Sequence, residues 1–318
     1  MEFKKLIEMI RQEVNECLKN IPIPDYPRYL YDPIRYSITN NGKRFRPILT
    51  HLTGRANNIE PSDLMNISLA IELLHNFTLV HDDIMDNDTM RYRKKTIHEK
   101  WDSSTAILSG DGIYTIAQII LNKISKNFHS LSKYFNKTTL EICEGQALDK
   151  EFENDNTITR KMYLDMVDKK TGSLLGASAA LPIIYNGGTD ELVNTYEQFG
   201  RCLGKGFQIH DDLLEITTDS QTMGKSLGSD IIKGKQTIMV IMARDNFPSE
   251  WEELLHKSEQ HTLFKNICSF FDKKGIIQET RSILNSYFNL SLDHLNKLDT
   301  IVTDDLVKLV KLIENRTY

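Results

Sequence analysis

The sequence predicts an all-α protein that forms a single large domain over residues 1–318. Apolar residues recur at helical spacing along most of the chain, and no alternating pattern typical of a β-strand runs for more than a few residues. Glycine and proline are scarce, at 16 and 8 residues, and all but two of the prolines lie at or before Pro61. Because proline breaks helix interiors, the remainder of the chain is free to be helical.

Composition excludes several classes of protein. With 26% charged and 40% hydrophobic residues and a net charge of -5, the chain gives no indication of nucleic-acid binding or disorder. The cysteines are widely spaced without a CxxC pair, which predicts a reducing compartment and no zinc or disulfide framework. We find no leader pattern, and the apolar run 174–185 is short and contains Pro182. We therefore expect a soluble, cytoplasmic protein without stable membrane insertion.

The first part of the chain carries a basic motif. Residues 1–20 place their apolar side chains on one stripe, which predicts an amphipathic helix, and residues 22–33 are interpreted as a proline-rich connector. Residues 42–47 then bring three cations just ahead of a helix that we expect to begin near Pro47. The unpaired N–H groups of that helix add to the cationic charge, so an anion site is predicted, with a solvated basic turn as the alternative.

The next long helix ends in an acidic cluster. It is predicted to open at Pro61 and to run to Asp86, with Asp82 and Asp86 four residues apart on one face. Thr78 and His75 continue that face one and two turns earlier, respectively. Paired carboxylates repel each other unless a cation lies between them, and an oxygen-rich cluster suits Mg²⁺. The alternative is a solvated helix end on which acids happen to cluster.

A second copy of this pattern lies in residues 208–215. It repeats the order His-Asp-Asp-apolar-apolar-acid, so Asp211 and Glu215 again share a helical face. Two such clusters predict facing helices with opposed carboxylates. That arrangement favours a polyphosphate bound between them through several divalent ions.

The remaining segments add charge and packing signals. The loop 88–98 is strongly basic and flanks the first acids, and Ser109 to Asp111 is interpreted as the cap of an apolar helix. Small residues at 177–180 favour close helix packing. The loop 223–237 resembles phosphate-binding loops in composition but lacks Walker-A spacing, which disfavours nucleotide binding. About three amphipathic helices are expected over residues 250–318.

Taken together, these motifs resemble the trans-isoprenyl diphosphate synthases, or polyprenyl synthetases, over about residues 35–240. The motifs that carry the resemblance are GKRxRP at 42–47, DDxxD at 82–86, its second copy at 211–215 preceded by Phe207-Gln208, Gly110-Asp111, Lys170-Thr171, and the GK, D and GKxT elements between Gly224 and Thr237. The resemblance implies an isoprenoid-synthase helical bundle around a deep central cavity. It also implies a homodimer.

The resemblance further implies two substrates in one pocket. Asp82, Asp86 and Asp211 would hold an allylic diphosphate through Mg²⁺, about three ions with diphosphate bound, and Glu215 would reach an ion through water. Isopentenyl diphosphate would bind Lys43, Arg46 and His75. The residues implied to contact the allylic diphosphate are Arg91, Lys170, Thr171, Gln208, Lys225 and Lys235. Among all of these, Asp82, Asp86, Lys170, Asp211 and Lys235 are the ones expected to promote departure of the diphosphate.

The sequence departs from the family pattern at two positions. The family usually has two consecutive arginines after the first acidic motif, the second contacting isopentenyl diphosphate, and here the pair is Arg91-Tyr92. Arg93 is the candidate to substitute from a shifted loop. The second acidic motif ends in Glu215 instead of aspartate, which lengthens that carboxylate.

Product length is predicted through the family. Phe77 and Thr78 are the fifth and fourth residues before Asp82, and the family associates a bulky fifth residue with a short pocket. The pattern favours a twenty-carbon geranylgeranyl product, with the fifteen-carbon farnesyl product next. The alternative is that Phe77 is an ordinary core residue.

Three other functions remain open from the sequence. A metal-dependent phosphohydrolase would use the pairs His81-Asp82 and His210-Asp211, with the histidines as ligands. A non-catalytic subunit that binds or regulates a partner synthase is compatible with Tyr92 and Glu215. A terpene cyclase would share the ionisation chemistry but would leave the basic motif at 42–47 without a purpose.

Overall fold

The computed structural model describes residues 2–40, 42–217, 234–298 and 302–316, and this part of the chain is almost entirely helical. Its strands form a short hairpin, β1 (Met90–Arg91) and β2 (Lys94–Lys95). The prediction of an all-α fold is confirmed. The described helices are α1 (Phe3–Lys19), α2 (Arg28–Ile38), α3 (Phe45–Ala56), α4 (Pro61–Met85), α5 (Ile97–Lys100), α6 (Ser103–Leu121), α7 (Phe128–Glu151), α8 (Arg160–Val167), α9 (Ser173–Tyr185), α10 (Asp190–Thr217), α11 (Ile238–Asn246), α12 (Pro248–Lys257), α13 (Gln260–Lys273), α14 (Ile276–Asn296) and α15 (Asp304–Glu314).

Helix α9 lies at the centre of the bundle. Every residue from Ser173 to Ile183 is buried, as expected for a helix that is apolar on all sides. It packs against α3, α4, α7 and α10, while α10 also packs against α14 and α4 packs along α6. The two acidic motifs end α4 and α10, so this packing fixes both helices that carry them.

Glycines bring α9 and α10 into close contact. A Cβ at Gly200 would lie 2.3 Å from the Leu175 carbonyl oxygen, and one at Gly204 would lie 2.7 Å from the Gly172 Cα. No side chain fits in that space, so the two backbones touch directly. This close contact depends on glycines outside residues 177–180, so the packing role predicted for those small residues stays a prediction.

Two predicted boundaries were wrong. The segment 22–33 is not a connector throughout, because α2 begins at Arg28 and contains Pro33, where the missing N–H removes a single intrahelical hydrogen bond. Ser109 to Asp111 does not cap a helix, because these residues lie inside α6. The true cap is Asp102, whose carboxylate accepts a hydrogen bond from the Thr105 N–H at 2.7 Å.

Helix α6 has the length and composition of a membrane span. The mean hydropathy of its apolar 18-residue window is 1.2, and 44% of that window is buried inside the protein. Core helices of water-soluble proteins meet the same criteria. The packing of α6 along α2 and α4 matches that description.

Stability is expected to fall as the pH drops from about 6.5 to about 4, in part because of His51 on α3. Burial lowers the pKa of this ring to about 4, and only 2% of the residue is exposed. The unfolded chain protonates this ring near pH 6.5, whereas the folded chain does so only near pH 4. The stabilisation of the folded state by a neutral His51 is therefore complete above pH 6.5 and is lost as the pH falls to about 4. The shift corresponds to up to about 3 kcal/mol in the free energy of unfolding.

Chemical denaturation at several pH values measures this effect. His51→Leu should lose less stability on acidification than the wild type. His256→Leu, which removes an exposed histidine from α12, is the matched control. Parallel pH profiles for His51→Leu and the wild type would contradict the assignment.

Candidate active site

A cavity of ≈ 790 Å³ opens between the ends of α4 and α10. Both acidic motifs, the basic loop before α3 and the apolar face of α4 contribute to its walls. The structure thus brings together residues that lie far apart in sequence. The predicted site residues that line it are Lys43, Arg46, His75, Phe77, Thr78, Asp82, Asp86, Arg91, Tyr92, Lys170, Thr171, Gln208, Asp211, Glu215 and Lys235.

Two predicted residues are not among them. Lys225 lies outside the described residues. Arg93 does not line the cavity, so its suggested substitution for a second arginine finds no support there and stays a prediction. Tyr92 and Arg93 form the two-residue turn between β1 and β2, both with positive φ, at 51° and 61°. Such a turn places Arg93 at the exposed tip of the hairpin.

The carboxylates of the first acidic motif have different surroundings. Burial raises the pKa of Asp82 above its ordinary value. Burial acts in the same direction on Asp86, but the Nζ atoms of Lys235 and Lys150, at 3.1 and 3.5 Å, hold its pKa below the ordinary value. Asp83 points elsewhere and accepts a hydrogen bond from Arg91 Nε at 2.6 Å. That bond ties the hairpin to the end of α4.

The second acidic motif divides in a similar way. Asp212 accepts hydrogen bonds from the Tyr163 hydroxyl at 2.6 Å and from Gln208 Nε2 at 3.0 Å. The side-chain oxygen Oε1 of Gln208 in turn accepts a hydrogen bond from the Thr171 hydroxyl at 3.0 Å. Asp212 therefore orients Gln208 and Thr171, while Asp211 forms an ion pair with Arg316. Sequence reasoning missed Tyr163, which belongs to no motif.

Lys170 and Thr171 lie on a π-helical turn. Residues Asp168–Gly172 form this turn between α8 and α9, and such wide turns inside helices often occur at functional sites. A Cβ at Gly145 of α7 would lie 2.3 Å from the Lys170 backbone nitrogen, so α7 holds the turn at backbone contact. The Lys170 Nζ lies 2.6 Å from Asp149, also on α7. These contacts direct the ammonium group towards the acidic motifs.

The basic loop is anchored by Arg44. This residue has a left-handed backbone, with φ of 54°, directly before α3. Its side chain is 2% exposed and forms an ion pair with Glu72 at 2.5 Å, and its Nε donates to Asn15 at 2.8 Å. The anchor leaves Lys43 and Arg46, on either side, at the cavity wall. The three cations look equivalent in the sequence, but the structure gives Arg44 an anchoring role that Lys43 and Arg46 do not share.

His75 is held neutral beside this loop. Burial lowers the pKa of its ring well below the ordinary value, and Arg46, Arg91 and Arg44 reinforce the shift. Because arginine only donates, the His75 Nε2 atom accepts the hydrogen bond from Arg46 Nη1, at 3.1 Å. This end of the cavity is strongly electropositive, which suits a bound anion.

The opposite part of the cavity wall is apolar. Phe77 packs edge-on against His81, with ring centroids 4.8 Å apart, and against Tyr114 at 5.4 Å. Ile142, Cys143 and Leu174 continue the apolar surface from α7 and α9. A hydrocarbon chain would fit against this wall with little exposure to water.

Among the described residues, no three or more His, Cys, Asp or Glu side chains come together as a preformed metal site. Mg²⁺ is commonly bound by only one or two carboxylates and completes its shell with water and substrate phosphates. Asp82 and Asp86 on one wall and Asp211 on the other meet that requirement. The donor set fits Mg²⁺ in the presence of a diphosphate.

The histidines do not form a ligand set of their own. His210 is buried, packs edge-on against Phe288 at 6.5 Å and does not line the cavity. His81 lies against α6, with Nε2 3.3 Å from the Ile107 carbonyl oxygen. This geometry disfavours the phosphohydrolase alternative.

Comparison with known proteins gives one consistent result. The family model described as polyprenyl synthetase matches residues 27–269. A geranylgeranyl pyrophosphate synthase from Geoglobus acetivorans is 35% identical over 93% of this chain and 92% of its own length. A geranylfarnesyl diphosphate synthase from Natronomonas pharaonis is 37% identical over 74% of each chain. The solved geranylgeranyl pyrophosphate synthetase of Pyrococcus horikoshii Ot3 superposes with a TM-score of 0.90 at 31% identity, covering 99% of this chain and 100% of that one.

Proposed function

Because the chain belongs to the polyprenyl synthetase family, we propose that its cavity joins isopentenyl diphosphate to an allylic diphosphate and releases geranylgeranyl diphosphate. The chain is a trans-prenyltransferase that makes short-chain prenyl diphosphates. The observation that carries the proposal is the single cavity itself. It combines opposed carboxylates, a separate cationic end and an apolar wall.

The carboxylates are proposed to bind Mg²⁺. Asp82 and Asp86 would hold ions on the α4 side and Asp211 on the α10 side, with Glu215 close enough to act through water. About three ions are expected with diphosphate bound, as in the family. The metal supplies charge neutralisation for the departing diphosphate.

The cations around these carboxylates are proposed to bind the allylic diphosphate directly. Lys170 approaches from the π-helical turn before α9, Lys235 from the segment before α11, and Arg91 from the hairpin. Thr171 and Gln208 add neutral hydrogen-bonding groups, and Lys225 is proposed to join them. These groups stabilise the charge that develops as the carbon–oxygen bond breaks.

Isopentenyl diphosphate is proposed to bind at Lys43, Arg46 and the neutral ring of His75. Its double bond then forms a new carbon–carbon bond with the allylic cation as the first diphosphate leaves. One proton is lost from the adduct and is accepted by the released diphosphate, so the new product is again an allylic diphosphate. The apolar walls exclude water that would otherwise capture the cation.

The product is proposed to be twenty carbons long because Phe77 closes the apolar part of the cavity. Farnesyl diphosphate is the next candidate. Both acidic motifs line the cavity, which disfavours the non-catalytic role suggested by Tyr92 and Glu215.

The chain is also proposed to act as a homodimer in the cytoplasm. Ile107, Leu108 and Ile119 on α6 are about half exposed, and Leu140 on α7 is 61% exposed. A hydrogen bond joins the two helices, since Gln118 donates to Asn136 at 2.7 Å. A second copy of the chain would cover this apolar strip.

A product assay tests the proposed function. The purified protein is incubated with Mg²⁺, labelled isopentenyl diphosphate and dimethylallyl, geranyl or farnesyl diphosphate, and the extracted alcohols are separated by length. A twenty-carbon product from each primer is expected. Diphosphate release without elongation would instead indicate a cyclase or hydrolase, and no turnover with any primer would indicate a non-catalytic subunit.

A further inference from the structure

Arg316, just beyond the end of α15, reaches into the cavity from the last described residues of the chain. Its side chain is only 10% exposed. It belongs to none of the motifs in the sequence, and the proposed reaction has not used it. A buried guanidinium in a diphosphate-binding cavity calls for a physical reason.

The position of Arg316 is defined by several contacts. Its guanidinium carbon lies 3.9 Å from the centre of the Phe207 ring, Nη2 donates to the Phe207 carbonyl oxygen at 3.3 Å, and the same group pairs with Asp211. Phe207 in turn packs edge-on against Phe45, at 5.9 Å between ring centroids. Phe45 is the first residue of α3 and belongs to the basic motif at 42–47. The rings of Phe207 and Phe45 therefore fix the position of Arg316 relative to the basic motif at 42–47.

Arg316 shares its end of the cavity with Lys43 and Arg46. Burial lowers the pKa of Lys43, and Arg316 adds to that shift, which places the two cations near each other. The Nε–H of Arg316 and the Nε–H of Arg46 are both buried without a hydrogen-bond partner among the described residues. Buried donors of this kind are costly unless a ligand satisfies them.

Tyr92, in the turn of the hairpin, also lines the cavity and supplies no positive charge. A tyrosine hydroxyl is neutral at neutral pH, and desolvation together with Glu72 raises the pKa of this one further. Arg46 and Arg91 are also close enough to act on it. The hairpin therefore contributes a neutral group to the cavity, and the C-terminal segment contributes a cation.

We propose that Arg316 is a substrate-binding residue for isopentenyl diphosphate, completing with Lys43 and Arg46 a three-cation site to which the hairpin residue Tyr92 adds no charge. The planar guanidinium suits bidentate contact with a diphosphate. This inference rests on the proposed function, since it names one more contact to one of the two substrates. It adds a role for the end of the chain.

Steady-state kinetics and calorimetric titration of the full chain with isopentenyl diphosphate test the proposal. Arg316→Gln should raise the KM and the Kd for isopentenyl diphosphate about tenfold or more, because a charged hydrogen-bond donor is lost. Because Arg316 also pairs with Asp211, the KM for the allylic diphosphate is expected to change too, but by clearly less than the KM for isopentenyl diphosphate. The melting temperature should change by less than about two degrees. Lys311→Gln removes an exposed charge from the same helix and is the matched control.

A second variant separates binding from a structural role. Adding Tyr92→Arg to Arg316→Gln should restore most of the lost affinity for isopentenyl diphosphate, because the two side chains border the same anion site. An unchanged Kd in Arg316→Gln would overturn the proposal. So would an equal loss for both substrates accompanied by a lower melting temperature. Calorimetry reports binding even if the wild type does not condense the substrates, so failure of the proposed function would be seen separately in the product assay.

Discussion

Replacing Asp82 with asparagine is expected to reduce kcat by about a thousandfold, because a metal-held diphosphate loses the carboxylate that neutralises it as it departs. Asparagine keeps the shape of the side chain, so the loss reports charge and not volume. Since burial already raises the pKa of Asp82, the free energy of unfolding should be unchanged or higher in the variant. Initial rates at saturating substrate and a denaturant titration measure the two quantities.

The matched control is Asp63→Asn, at the exposed start of the same helix. It removes the same charge from α4 without touching the cavity and should leave kcat unchanged. If Asp82→Asn retained more than about a tenth of the wild-type rate, the role assigned to the α4 carboxylates would have to be given up.

Replacing Phe77 with alanine is expected to shift the main product beyond twenty carbons. The ring packs against His81 and Tyr114, so its removal opens the apolar wall towards those two side chains. A growing chain would then extend by at least one five-carbon unit before it meets a new barrier. Separation of the extracted alcohols by length measures the shift, and the rate of isopentenyl diphosphate consumption should change by less than about tenfold, because no charged group is altered.

Phe247→Ala is the control for the Phe77 variant, because it removes a partly buried ring that packs against Phe270, away from the cavity. It should lower stability without altering the product. The same product length from Phe77→Ala and the wild type would mean that Phe77 is an ordinary core residue, as the alternative interpretation holds.

Features that follow from local spacing could be predicted from the sequence. Asp82 and Asp86 share a face because a helix repeats every 3.6 residues, and the structure places both at the cavity. The start of α4 at Pro61 was predicted for a similar reason, since proline suits a first helical position. The start of α6 was misplaced because Gly110 lies mid-helix, where it allows His81 of α4 to approach.

Features that depend on tertiary contacts could not be predicted. Arg316 lies 105 residues from Asp211, and only the packing of α15 on α3 and α10 brings them together. The separation of Arg44 from Lys43 and Arg46 depends on Glu72, which is 28 residues away and belongs to no motif. In both cases the decisive partner is distant in sequence, so local patterns carry no signal for it.

The π-helical turn at Asp168–Gly172 fixes the length of the rod formed by α8 and α9. Such a turn holds one residue more than an α-helical turn, so deleting one residue there would leave a regular α-helix in which α8 and α9 keep nearly the same orientation. Tyr163 on α8 would then stay near Asp212, but Lys170 and Thr171 would lose the widened turn on which they lie at the cavity wall. The extra residue is therefore not needed for the helical bundle itself, and its retention serves the site.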